Sequence, residues 1–190
     1  TLTYLAQVSN NAAAPFDAVV SAPITITIIG EQIPTIATTS GSITEPPGTN
    51  NATIDHATGT VTFTDADSTA RPVVSTQFTS FTYQNAAHTD VTASLTSEQK
   101  ADVAAVEASL ALTAASTNGN SGSVGWSFDV VDSKLDFLAA GETLTLTYTA
   151  TVSEGPNNSV TEPITVTITG TNDAPTIATT NGSITELPGT

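Results

Sequence analysis

One stretch occurs twice, and it constrains the chain more than any other feature. Residues 24–49 read I-T-I-T-I-I-G-E-Q-I-P-T-I-A-T-T-S-G-S-I-T-E-P-P-G-T, and residues 164–190 read I-T-V-T-I-T-G-T-N-D-A-P-T-I-A-T-T-N-G-S-I-T-E-L-P-G-T. Each copy is an alternating strand, a Gly-to-Pro joint and the opening of a new unit. Setting Pro34 on Pro175 gives a period of 141 residues (175 less 34). The piece before the strand repeats as well: Thr1-Leu2-Thr3-Tyr4 matches Thr145-Leu146-Thr147-Tyr148. A fixed period of this kind is the signature of a tandem array. The expected organisation is the C-terminal strands of one repeat in 1–33, a complete repeat in 34–174, and the N-terminal segment of a following repeat in 175–190. A unit of about 140 residues is large enough to bury its own core.

Charge narrows the partners. Eighteen acidic residues face three basic ones, Arg71, Lys100 and Lys134, for a net charge of −15. That excludes nucleic acid and anionic membrane as expected partners, since both require Lys and Arg to displace counterions. Two readings of the acidity stay open: solubility, or carboxylates that take divalent cations. No run approaches a membrane span. No signal peptide is visible, as expected of a window from the middle of an array. Cysteine is absent, so no disulfide staples the fold.

Alternation predicts most of the strands. Residues 1–8 put Leu2, Tyr4, Ala6 and Val8 on one face, and Ile24, Ile26 and Ile28 follow Pro23. Leu144 to Val152 and Ile164 to Ile168 repeat this pair, with threonines on the opposite, wet face. Further strands are expected at 60–64 (entered from Gly59 and ending at Asp65-Ala66-Asp67), at 73–84, at 91–95, and over Val124 to Val130 with Trp126 facing the core. Helix is expected once, near 97–110. There Thr96 or Ser97 can cap, and Val103, Val106 and Leu110 recur three and four apart. A tight connection, with one helical turn around Leu135 and Leu138, is expected over 132–140. The fold class is therefore all-β: an antiparallel, immunoglobulin-like β-sandwich repeat with one short inserted helix.

Several of these residues resemble a known family. Gly170-Thr171-Asn172-Asp173-Ala174-Pro175 resembles the joint of VCBS and cadherin-like tandem repeats of large bacterial surface adhesins, the type I-secreted, RTX-adhesin-like kind. Gly125-Trp126-Ser127-Phe128-Asp129-Val130 and the run Leu135 to Leu144 are similar to that family's closing half, and 95–112 resembles its helical stretch. The resemblance covers the complete unit and both flanks. It implies a cadherin-like sandwich, a place in an extracellular stalk involved in adhesion or biofilm formation, and calcium. One joint departs from the pattern, because Gly30-Glu31-Gln32-Ile33-Pro34 lacks the Asn-Asp pair.

Calcium takes six to eight oxygen ligands, largely carboxylate and carbonyl. The expected candidates at one end of the unit are Glu45, Asp65 and Asp67, with Glu31 of the preceding joint; at the other, Asn172 and Asp173 meet Glu186 of the next unit. Asp65 and Asp67 either grip one ion together or simply end a strand and shape a turn. No EF-hand spacing is present. An enzyme is not expected: His56 and His88 sit among loop-like polar residues, and neither a Gly-x-Ser-x-Gly elbow nor a zinc ligand set occurs. The expected function is a structural extender, rigidified by calcium at its joints, whose partners are neighbouring repeats or strand-donating copies of itself. The alternative is a ligand-binding module that recognises a glycan or another surface. The apolar face of 1–33 is expected to be covered by donated strands.

Overall fold

The computed structural model describes residues 2–9, 19–27, 32–48, 52–115, 119–155, 157–173, 177 and 179–185. The chain divides into two compact units, Thr1–Gln32 and Ile33–Thr190. The first is a hairpin of β1 (Leu2–Ser9) and β2 (Val19–Ile26), antiparallel, with Tyr4 opposite Ile24 and Leu5 opposite Pro23.

The second unit is a two-layer β-sandwich with one inserted helix. Its strands are β3 (Thr35–Thr38), β4 (Gly41–Thr44), β5 (Ile54–Thr64), β6 (Val73–Gln84), β7 (Leu110–Ala115), β8 (Ser121–Val131), β9 (Thr143–Ser153) and β10 (Ser159–Thr169). One sheet has the order β4-β10-β9-β6 and the other β3-β5-β8-β7. The two-residue period does what the sequence predicts. In β9, Leu144, Leu146, Tyr148, Ala150 and Val152 are all buried, while the intervening threonines face outward. The facing sheet supplies Val61, Phe63, Val124, Trp126 and Phe128, and burial of such side chains stabilises by roughly 1.5–3 kcal/mol each. The register of the closing hairpin repeats that of the first unit: Tyr148 lies opposite Ile164 and Thr149 opposite Pro163.

Helix α1 (Ser97–Val106) starts as its sequence directs. Thr96 Oγ1 accepts from the Gln99 amide, and Gln99 Oε1 accepts from the Thr96 amide, a reciprocal capping box. It ends four residues before the expected 110. A 3-10 turn over Glu107–Ser109 leads directly into β7, where Leu110 pairs with Phe128 and Leu112 with Trp126. A free sheet edge that lines these leucines up with β8 outweighs one more helical turn. The expected strand at 91–95 is also absent. Asp90 Oδ1 accepts from the Thr92 amide and the Thr92 hydroxyl accepts from the Tyr83 amide, which curls Thr92–Ser94 into a 3-10 turn. The connection after β8 forms its expected turn, a 3-10 turn over Asp132–Lys134, with Leu135 and Leu138 fully buried behind it.

Two pairings set the unit's polarity. Thr35 lies opposite Thr64 at the far end of β5, so the chain enters beside Asp65. From β3 it crosses to the other sheet, where β4 runs parallel to β10 with Ile43 opposite Ile168, so both strands finish at the opposite end. The eleven residues of β5 separate these two ends by about 33 Å at ~3.3 Å per residue. Among the described residues no helix is long and apolar enough to cross a membrane.

Candidate metal centre

The parallel pairing of β4 with β10 brings two distant acidic residues to one place. Thr44 lies opposite Thr169, and the Glu45 amide continues the ladder by donating to the Thr169 carbonyl at 3.0 Å. Glu45 and the segment after Gly170 therefore leave the sheet side by side. Glu45 Oε2 accepts from the Thr171 amide at 3.0 Å, and Asp173 Oδ1 accepts from the Gly48 amide at 2.8 Å. The segment after β4 and the segment after β10 hold each other. Gly170 lets this happen: a Cβ there would stand 2.6 Å from the Leu138 Cβ, so only glycine allows the exit strand to lie against the turn that follows β8.

That turn supplies a third carboxylate. Oxygens of Glu45, Asp136 and Asp173 all lie within 4.8 Å of one another, the one such acidic group among the described residues. A cavity of about 230 Å³ adjoins them, lined by Asp136–Ala140 and Thr171–Asp173, Asn172 among them. Glu45 is 1% exposed, yet its Oε1 has no hydrogen-bond partner, and neither has Oδ2 of Asp173. Burial, with the added charges of Asp173, Asp132 and Asp136, pushes the Glu45 carboxyl up to about 7 against the donation from Thr171. A second acidic pair is adjacent. Asp132 is fully buried and hydrogen-bonded to Asp55, and burial raises both carboxyls above their ordinary range. Glu142 is engaged elsewhere, accepting from the Tyr83 hydroxyl and the Ala139 amide.

The donor set fits a hard divalent cation. Three carboxylates with no imidazole or thiolate suit calcium or magnesium rather than zinc. The orphaned Glu45 oxygen is what a bound cation would satisfy, and neutralising the cluster would remove the repulsion that adds to the effect of burial on its pKa.

The grouping differs from the one expected. Glu45 meets Asp173 rather than Asp65 and Asp67, because β4 runs parallel to β10 and so carries it to the exit end. Asp65 and Asp67 follow the opposite end of β5. There Asp65 Oδ1 accepts from the Asp67 amide, and Asp67 Oδ1 accepts from the amide and hydroxyl of Thr69, closing a turn. Asn172 lines the cavity. Glu31 and Glu186 lie outside the described residues. Asp136 was not among the candidates; its signal was its place between Leu135 and Leu138, whose burial fixes the turn that presents it. His56 bonds to Asp129 on the exposed face of neighbouring strands.

No protein-family model matches the chain, and no curated protein matches it. Among solved structures it is similar to AggA, the major subunit of aggregative adherence fimbriae type I from Escherichia coli. The TM-score is 0.39 and the identity 14%, over 77% of this chain and 99% of that one. It is also similar to cadherin-like domains 1 to 4 of zebrafish RET, with TM-score 0.33 and 12% identity, over 82% of this chain and 31% of that one.

Proposed function

We propose that the chain is a structural repeat module of an extracellular adhesin-type array, with a divalent cation, calcium first, clasping the exit end of each complete unit. The observation that carries this reading is the path of the chain: entry beside Asp65 and exit beside Asp173, at opposite ends of β5. A unit entered at one end and left at the other extends an array by its full length, whereas termini at one end would fold it back. Glu45, Asp136 and Asp173 hold the ion, and its tie between the segment after β4 and the segment after β10 sets the angle at which the chain leaves. The neighbours of such a module are repeats of the same kind, in line with the 141-residue period.

Thermal unfolding with calcium, with chelator and with magnesium as a control tests this. A ligand at a hundred times its Kd stabilises the native state by about 2.7 kcal/mol, so saturating calcium should raise Tm by several degrees. Asp173→Asn should abolish that rise and Asp65→Asn should keep it. An unchanged Tm for the wild-type chain would remove the cation from the reading.

A further inference from the structure

The three carboxylates of the cluster come from three segments of the chain. Glu45 and Asp173 are tied by the hydrogen bonds to Thr171 and Gly48. Asp136 takes its place from the turn that carries it, over 135–142. That turn closes on itself twice: the Leu138 amide donates to the Leu135 carbonyl at 2.8 Å, and the Glu142 amide to the Ala139 carbonyl at 2.9 Å. Two more bonds fasten it to the exit strand. The Gly141 amide donates to the Gly170 carbonyl at 3.0 Å, and the Gly170 amide to the Glu142 carbonyl at 2.9 Å.

A side-chain clamp acts on the same turn. Glu142 Oε2 accepts from the Ala139 amide at 3.1 Å and from the Tyr83 hydroxyl. Tyr83 stands near the end of β6, opposite Leu144, and is 1% exposed. Its ring stacks on Phe137, with centroids 6.2 Å apart and planes 25° apart, and its hydroxyl lies 3.4 Å from the Phe137 carbonyl. One phenol therefore holds the residue after Asp136 with its ring and the carboxylate that grips Ala139 with its hydroxyl. Burial, then the hydrogen bond and charge of Glu142 and the charge of Glu45, push that hydroxyl above its ordinary range. It stays protonated, and it donates.

We infer that Tyr83 and Glu142 are positioning residues of the cation site, clamping the turn that presents Asp136 to Glu45 and Asp173. This rests on the cation reading above. Neither residue belongs to the three carboxylates that converge. Two donors on Oε2 commit Glu142 to the turn. A loose turn would have to be ordered by the ion itself, and that ordering would be subtracted from the ion's affinity.

Calcium titration calorimetry on the full-length chain, with thermal unfolding in chelator alongside, tests this. Tyr83→Phe keeps the ring on Phe137 and removes the donor, so the calcium Kd should weaken by roughly 10–100-fold, as for other supports behind metal ligands. Glu142→Ala should weaken it as much. Glu142→Gln, whose carbonyl oxygen still accepts from both donors, should retain most of the affinity. The Glu142 variants decide the matter if Tyr83→Phe does not fold. A purely structural role would lower Tm in chelator and leave Kd where it was, which overturns the inference. Glu142→Gln losing as much affinity as Glu142→Ala would make Glu142 a ligand through its charge, and overturns it too. A wild-type chain that binds no calcium would instead remove the cation reading itself.

Discussion

At the scale of single residues, Glu45 decides the behaviour of the exit end. Its folded carboxyl lies at about 7 against an ordinary 4.5, so the native state holds more protons than the unfolded chain between those values. In chelator, stability should therefore be fully present below about 4.5 and fall as pH rises through about 7. Asp132 and Asp55, also raised by burial, act in the same sense. Asp67, Asp90 and Asp129 are held low by their hydrogen bonds and oppose this only at more acid pH. Saturating calcium needs ionised ligands, so it should flatten or reverse the fall. Melts from pH 5 to 8, with and without chelator, check the sign, and Glu45→Gln should flatten the chelator curve. Glu45, Asp173 and Asn172 are readable from the sequence as oxygen donors. Which of them meet is not, because the contact between Gly48 and Asp173 spans 125 residues.

At the scale of elements, local pattern succeeds where burial follows a regular period. It reads β8, β9 and β10, the length of β6, and the capped start of α1. It fails where an interaction outside the window chooses among local options. The helix yields to β7 at Leu110 because β8 offers an edge, and residues 92–94 curl because Asp90 and Tyr83 supply hydrogen bonds. Gly59 shows the same limit. The sequence presents it as a lead-in to a strand, but it sits inside β5 opposite Trp126. A Cβ there would collide with the indole and with Thr39 Oγ1, so its role is to admit the tryptophan. Gly59→Ala should cost about 1–3 kcal/mol by overpacking, measured by denaturant unfolding at unchanged slope.

At the scale of the molecule, the buried core, from Ile43 to Ile168, lies within the second unit among the described residues. A chain starting at Ile33 should therefore melt within about 3 °C of the full chain, a shift worth roughly 1 kcal/mol at this size.

The sequence by itself determined the all-β class, the inward Trp126, the helix cap and the repeat, because each depends on neighbours a few residues away or on identity at a fixed period. Only the tertiary structure decided that the chain runs from one end of the unit to the other, that Glu45, Asp136 and Asp173 converge, and that Asp65 and Asp67 close a turn at the far end. The physical reason is one pairing. Parallel alignment of the four-residue β4 with the end of β10 is a long-range choice, made by burying Ile43 against the opposite sheet, and no local period records it.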